Sequence, residues 1–332
     1  MQAEIDQWPK TIFPQYGIRV LDLVPDEIRA DRWYADTDKG KKILDAYEDV
    51  QMLWQDFDVA EYLARHGYRR IPRMIRTLYG DPYVHVHDKW FVLTDWIDGR
   101  KLRFSPEDVL PAIRNLAAVH QALRGFEYFE YMEDGLSKPQ LQWAEIMRAS
   151  ISDMESALLE WKKIAQKDLI QTRFLEQSEL LQNQIRHVSS AFGSENMTID
   201  PLDRCVGGAP FDQQWMSPSG KVYFRQVPKP IEDTPVFDLA RCCLYAVEQG
   251  HSDAIADLIQ EYEKIRELSE MELRQIATYA SFPHGLWKLF YLYRRRRASM
   301  EQLHGLFRQT LDQYRQRDQQ FAPYRNRLLQ ER

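Results

Sequence analysis

The character of the chain changes near Gly99, and this change constrains the fold more than any other feature of the sequence. Before Gly99, short runs with strand-like alternation are separated by turn signals. After it, apolar residues recur mostly at helical spacing. Strands followed by helices, rather than strands alternating with helices, predict an α+β protein. We expect a β-rich N-terminal lobe over residues 1–97 and a larger helical lobe over residues 98–332.

The N-terminal lobe is predicted to contain about five strands and one helix. Residues 50–66 carry apolar side chains at helical spacing, and Gly67 provides a stop signal at the C-terminal end. In the second lobe, the main predicted strand is Lys221–Phe224, and Arg294–Arg297 is expected to lie on a helix. The N-terminal runs with strand character are 18–24, 27–36, 41–46, 73–78, 83–87 and 90–96.

Composition excludes several classes of protein. The hydrophobic fraction of 44% is enough for a packed core, and the net charge of −6 gives no basic excess for nucleic-acid binding. The sequence contains no 18-residue uncharged apolar run and no signal-peptide pattern, so we expect no membrane span and folding in the cytosol. The three cysteines, Cys205, Cys242 and Cys243, are expected to be buried apolar side chains rather than disulfide or metal ligands.

Four segments, in this order, resemble a known family: TDKGKKIL, EYLARHGYRRIPRMIRTLYGDPYVHVHDKWFVLTDWIDGR, LAAVHQALRGF and SFPHGLWKLFYLYRRR. They are similar to the CotS-type spore coat proteins of endospore-forming bacteria, and the resemblance covers roughly residues 12 to 320. It implies the bilobal protein-kinase-like fold of aminoglycoside phosphotransferases and choline kinases. It also implies a nucleotide cleft between a sheet and a catalytic loop.

Phosphoryl transfer in that fold requires residues that this chain lacks. Such kinases use a His-x-Asp-x-x-x-x-Asn loop, a metal-binding Asp on a following strand and a Lys on the third strand. Alignment through the resemblance places other residues at all five positions. These are Val206 for the His, Gly208 for the catalytic Asp, Gln213 for the Asn, Gln226 for the metal-binding Asp and Asp45 for the Lys.

The deficit does not depend on that alignment. None of the four Asn residues has an Asp five positions before it, so no Asp-x-x-x-x-Asn motif occurs anywhere in the chain. Between Gly220 and Glu232 there is no acidic residue that could replace the metal ligand. We therefore expect no catalytic residues, no metal site and no cofactor.

Three further features are candidates for structure or binding. Asp238 matches the family's Asp that braces the catalytic loop, and Arg225 is a possible contact for an anion beside the former metal position. The basic run Arg294–Arg297 is either a solvated helical surface with acidic neighbours or a docking surface for an acidic partner. The sequence leaves both interpretations of this run open.

Together these observations predict a pseudokinase that is not an enzyme. The resemblance implies a structural or scaffolding protein of the spore coat, made in the mother-cell cytoplasm and then placed on the spore coat, with other spore coat proteins as partners. Two alternatives remain: a small-molecule phosphotransferase with an unorthodox active site, and a pseudokinase that senses a nucleotide or metabolite.

Overall fold

The computed structural model describes residues 8–128, 143–183, 186, 200–207 and 210–330. These residues form two compact units. The first unit falls within residues 1–138 and 206–230, and the second within 139–205 and 231–332. The units differ from the predicted lobes, because a helix after residue 105 and the segment 206–230 both belong to the first unit. The lobe bounds 1–97 and 98–332 stay a prediction.

The first unit is built on a five-stranded antiparallel sheet. Its strands are β1 (Val20–Pro25), β2 (Arg32–Thr37), β3 (Lys42–Tyr47), β4 (Val84–Val86) and β5 (Lys89–Asp95), in the spatial order β1-β2-β3-β5-β4. Strands β2 and β3 pair with Arg32 opposite Asp45, and β3 pairs with β5 with Asp45 opposite Val92. Because side chains alternate across a sheet, these registers decide which residues share a face.

Helices cover both faces of this sheet. The short helix α1 (Trp8–Ile12) and the following 3-10 turn pack on the face that carries Leu44, Phe91 and Leu93. On the opposite face, Val92 packs with Leu53 of helix α2 (Val50–Arg65). The side chain of Asp49 caps α2 by accepting a hydrogen bond from Gln51 N at 2.8 Å. Since Asp45 alternates with Leu44, it faces the α2 side.

A polar network in the first unit fixes the segment that follows residue 210. Helix α3 (Pro106–Leu123) carries the buried Asn115, whose Oδ1 accepts a hydrogen bond from the Tyr68 hydroxyl at 2.9 Å. Asn115 Nδ2 donates to Gln214 Oε1 at 2.9 Å, and Gln214 Nε2 donates to Pro210 O at 2.9 Å. A small antiparallel sheet adjoins this network, formed by β6 (Arg100–Lys101), β7 (Gln214–Met216) and β8 (Val222–Phe224).

The second unit is helical in its described residues. Helix α8 (Glu270–Ser281) packs against α6 (Val236–Glu248) and α10 (Met300–Gln330), and α9 (His284–Arg294) also packs against α10. Phe237, Phe282 and Phe290 are among its largest fully buried side chains. Among the described residues, the unit also contains α4 (Trp143–Lys163), α5 (Leu169–Glu176) and α7 (Ile255–Glu263).

Two local predictions were wrong. Residues 73–78 form no strand; only Met74 makes an isolated bridge to Thr94, and Thr77 instead closes a turn by accepting a hydrogen bond from Gly80 N. The predicted helix through Arg294–Arg297 ends at Arg294, and the next three residues form a turn. The three cysteines are buried, as predicted. No helix in the described part of the chain is both long and apolar enough to span a membrane.

Replacing Asn115 with Leu should destabilise the protein by about 2–4 kcal/mol, because two buried polar partners would lose their hydrogen bonds. Urea unfolding of Asn115→Leu against the parent protein measures this. Gln121→Leu, an exposed position on the same helix, is the matched control and should change stability by less than about 0.5 kcal/mol. Equal stability of the two variants would show that the network contributes little.

Candidate functional site

The first unit contains a cavity of about 720 Å³ on the α2 side of the sheet. Its walls come from the β1–β2 connection, from β3 and α2, and from the segment 225–229, which follows β8. A cavity of this size is in the range of small-molecule sites. Polar and charged side chains line much of the cavity: Arg29, Asp31, Arg32, Asp45, Tyr47, Glu48, Asp49, Asp56, Arg225, Gln226 and Lys229.

Asp45, the residue at the predicted lysine position, is held by an arginine of the neighbouring strand. Arg32 Nε donates to Asp45 Oδ1 at 2.6 Å, and Arg32 Nη2 donates to Asp45 Oδ2 at 3.0 Å. The two side chains are only 9% and 12% exposed. This two-point geometry is the strong form of an arginine–carboxylate pair. The pair is neutral overall, so this part of the wall lacks the positive charge that a lysine would supply.

The lysine of β3 itself does not restore that charge. Lys42 has the same strand parity as Leu44, so it lies on the opposite face of the sheet from Asp45. Its Nζ donates to Asp95 Oδ1 at 2.8 Å and to Lys39 O at 2.7 Å. The Lys42 ammonium group is therefore bound outside the cavity and adds no positive charge to the cavity wall.

The sequence did not single out a second carboxyl group in the cavity. Asp56 of α2 accepts a hydrogen bond from the Tyr47 hydroxyl at 2.9 Å. Burial raises the pKa of the Asp56 carboxyl, and the Tyr47 hydrogen bond and the charge of Lys229 oppose that rise. The sequence feature that could have identified Asp56 is its position as an acidic residue between Leu53 and Ala60, on the apolar face of α2.

Two cations on the cavity wall make no ion pair within the described residues. Arg225 is exposed, and its guanidinium carbon lies 4.4 Å from the centroid of the Trp215 ring. Lys229 is also exposed and interacts with Asp56 only at longer range. By contrast, Arg29 Nη2 lies 2.7 Å from Asp31 Oδ2. Arg225 and Lys229 therefore line the cavity without such a pair, and the role of Arg225 as an anion contact stays a prediction.

The structure brings only some of the predicted residues together. Asp45, Arg225 and Gln226 line the same cavity, as the alignment requires. Gln213 does not line the cavity but contacts a residue that does, because its backbone carbonyl oxygen accepts a hydrogen bond from Arg225 N at 2.8 Å. The Gln213 side-chain Nε2 donates to Gly207 O at 3.2 Å. The side chain of Val206 is buried. Gly208 lies outside the described residues.

Asp238 belongs to the second unit, in the first turn of α6, and is buried. Its neighbour Asp233 is also buried and accepts hydrogen bonds from Trp143 N at 2.9 Å and from Thr234 N at 2.8 Å. Burial, with a smaller effect of the Asp238 charge, raises the pKa of Asp233 to about 7. These contacts stabilise the second unit locally, and the role of Asp238 as a brace for the catalytic loop stays a prediction.

The donor groups of the cavity do not fit a Mg²⁺–nucleotide complex. Mg²⁺ prefers carboxylate oxygens, yet Gln226 offers a neutral amide and the Asp45 carboxylate is bound by Arg32. The other carboxyl groups of the wall also have partners: Asp31 pairs with Arg29, Glu48 with Lys89, Asp49 accepts from Gln51 N and Asp56 from Tyr47. Across the described residues, no group of three or more His, Cys, Asp or Glu side chains is arranged to hold a metal ion.

Solved structures identify the fold. An aminoglycoside phosphotransferase from Alicyclobacillus acidocaldarius superposes with a TM-score of 0.74 at 17% identity, covering 96% of both chains. The AMP-bound spectinomycin phosphotransferase APH(9)-Ia gives 0.58 at 10% identity and covers 96% of this chain and 98% of its own. The GDP complex of an aminoglycoside 2'-phosphotransferase variant gives 0.56 at 12% identity, with 98% and 99% covered. The chain has the aminoglycoside phosphotransferase fold. It is a kinase-like fold with a β-sheet N-lobe and a helical C-lobe, and at these identities the similarity concerns the fold alone. No protein-family profile and no curated protein matches the sequence.

Removing Asp45 should cost about 3 kcal/mol of stability, because the Arg32 charge would remain buried without its partner. Arg32→Ala should cost less, because Arg29 Nη2 lies 3.7 Å from Asp45 Oδ1 and remains as a second partner. Urea unfolding of Arg32→Ala and Asp45→Ala tests this, and the double variant Arg32→Leu/Asp45→Leu should recover most of the loss. The exposed pair Lys89–Glu48, at 3.2 Å, is the control, and Lys89→Ala should cost less than about 1 kcal/mol. Single-variant losses no larger than that of the control would contradict the structural importance of the pair.

Proposed function

We propose that this protein is a pseudokinase, a member of the kinase-like fold that transfers no phosphoryl group and acts as a structural or scaffolding protein. The observation that carries the proposal is Asp45, a carboxylate held by Arg32 where the fold uses a lysine for the phosphates. A lysine there contributes one positive charge, whereas the Arg32–Asp45 pair contributes none. The attraction lost is about 4 kcal/mol for two unit charges 4 Å apart at an effective dielectric constant of 20.

The metal and nucleophile requirements support the same proposal. Gln226 stands at the position of the metal-binding Asp, and no acidic residue occurs between Gly220 and Glu232 to replace it. In active kinases the Asp of the Asp-x-x-x-x-Asn motif orients the substrate hydroxyl and the Asn binds a metal ion. No such motif exists in this chain. An enzyme that lost one of these groups could retain some activity, but this chain lacks all of them.

The proposed biological setting rests on the similarity of four sequence segments to CotS-type spore coat proteins. That similarity suggests synthesis in the mother-cell cytoplasm, a final place on the spore coat, and other spore coat proteins as partners. The kinase-like fold is compatible with this role but does not specify it, because a fold does not determine a function.

The cavity supports a second candidate, a protein that binds a nucleotide or metabolite without Mg²⁺. Arg225 and Lys229 present two cations to the cavity, and solved proteins of this fold have been crystallised with AMP and with GDP. A phosphotransferase with an unorthodox active site is the remaining alternative, and it requires a metal–nucleotide complex in the same cavity. These functions differ in whether nucleotide binding occurs and whether it depends on the metal.

Thermal unfolding with millimolar ATP or GTP, each with and without Mg²⁺, separates the candidates. A ligand at one hundred times its dissociation constant adds about 2.7 kcal/mol to stability and should raise the midpoint by several degrees. We expect no shift beyond that produced by Mg²⁺ alone.

A Mg²⁺-dependent shift would contradict the proposal and favour the phosphotransferase. A shift with nucleotide alone that disappears in Arg225→Ala, but persists in the control Lys221→Ala, would favour the sensing function. Lys221 is an exposed cation near β8 that does not line the cavity, so it controls for a general loss of positive charge.

A further inference from the structure

Three consecutive arginines form an exposed turn between α9 and α10. Arg295, Arg296 and Arg297 follow the last residue of α9 and precede α10, which begins at Met300. We refer to them as the arginine turn. All three side chains are exposed, and none has a carboxylate within 4 Å among the described residues. The preceding Arg294 differs, because it lies 3.8 Å from Asp153 and 3.6 Å from Glu160.

The backbone of the arginine turn has a conformation that favours glycine. Arg297 N donates to Leu292 O at 3.0 Å and Arg296 N donates to Tyr293 O at 3.1 Å, which is the Schellman pattern of a helix C-terminus. The residue after the cap, Arg296, has a φ of 50°. A side chain in this left-handed region is strained.

Two other helices of the chain end with the same hydrogen bonds but use glycine. After α2, Gly67 has a φ of 81° and donates to Ala64 O, and Tyr68 N donates to Leu63 O. After α6, Gly250 likewise has a φ of 81°. Gly17, with a φ of 61°, closes the 3-10 turn Phe13–Tyr16 with the same two bonds, so among the described residues glycine closes this motif three times and arginine once. The strained arginine implies that its side chain contributes something other than the stability of the turn.

An aromatic ring orients the two outer arginines. The guanidinium carbon of Arg295 lies 5.6 Å, and that of Arg297 5.8 Å, from the centroid of the Tyr291 ring. Cation–π contacts at these distances hold the guanidinium groups near one point on the surface. Less side-chain entropy is then lost when they bind an anion.

We propose that the arginine turn is a docking surface for a short acidic segment of a partner protein. Three guanidinium groups without carboxylate partners can each donate two parallel hydrogen bonds to an Asp or Glu side chain. This inference does not depend on what the cavity binds, and it specifies the chemistry of a partner that a scaffold requires.

The surroundings favour a peptide over an extended polyanion. Asp153 and Glu160 lie beside Arg294 and are 57% and 62% exposed, so they would repel the uniform charge of a nucleic acid or an anionic membrane. The net charge of −6 adds long-range repulsion. A segment with two or three carboxylates can engage the arginine turn without lying over these acids.

Fluorescence anisotropy with a labelled Gly-Glu-Gly-Glu-Gly-Glu peptide, on the full chain at low salt, tests the proposal. We expect binding that weakens with salt and that falls at least tenfold in Arg295→Ala/Arg297→Ala, with no binding of the same peptide with glutamine at the three glutamate positions. Arg274→Ala is the matched control, because Arg274 is about half exposed and already lies 2.8 Å from Glu270, and it should change the affinity by less than twofold.

Arg296→Gly separates binding from folding, because this substitution should increase the stability of the protein and decrease its affinity for the peptide. Relief of the strained φ should raise the unfolding midpoint by about 2 °C, while loss of the guanidinium should weaken peptide binding at least threefold. A purely structural turn would show the rise in midpoint with no loss of affinity, and that result would overturn the proposal.

Failure of the three-glutamate peptide to bind the parent protein would also overturn it. Tighter binding of single-stranded RNA or of phosphatidylserine vesicles, lost in the same variants, would assign the turn to a different class of partner. Self-association in sedimentation that disappears in Arg295→Ala/Arg297→Ala would assign it to a second copy of this chain, which likewise excludes the proposed partner.

Discussion

The ion pair between Arg32 and Asp45 determines what the cavity of the first unit can do. The pair joins directly opposite residues of β2 and β3, on the face of the sheet that α2 covers. A buried charge pair of this kind contributes little net stability compared with apolar residues, but each partner requires the other. Asp45, which the sequence alignment places at the position of the fold's phosphate-binding lysine, thus makes a contact within the sheet. Two further polar side chains of the cavity wall also have partners within the protein: Asp56 accepts a hydrogen bond from Tyr47, and Arg29 pairs with Asp31.

Two cations of the cavity wall, Arg225 and Lys229, lie on the segment after β8 and make no ion pair among the described residues. They flank Gln226, which the sequence alignment places at the position of the fold's metal-binding Asp. This segment depends on the network from Tyr68 through Asn115 to Gln214, which fixes the start of β7. The packing of the first unit therefore maintains the cavity together with the segment that carries these two cations.

Much of the fold could be predicted from the sequence, because the periodicity of β3 and α2 is strong and local. The helix predicted over 50–66 is α2, Val50–Arg65, and the replacements at residues 45 and 226 are found at one cavity. The partner of Asp45 could not be predicted, since it depends on the register of β2 against β3 rather than on either strand alone. The error at residues 73–78 has a similar cause. The run has strand-like composition, but Thr77 uses its backbone groups in a turn. The arginine turn was predicted as helix because a helix end at an arginine with positive φ has no sequence signal, whereas Gly67 gave one.

The most direct test of the central claim is a measurement of ADP formation from ATP and Mg²⁺ at high protein concentration, with small-molecule alcohols such as choline and aminoglycosides as acceptors. We expect no ADP above that of the buffer, because Asp45 stands at the aligned lysine position and no group of three or more metal-ligating side chains among the described residues is arranged to hold a metal ion. The contradicting result is ADP formation by the parent protein that is lost in Asp56→Asn, since Asp56 is a partly buried carboxyl of the cavity wall whose hydrogen-bond partner is Tyr47 rather than a basic side chain. Loss in that variant would also exclude a contaminating kinase as the source of the activity.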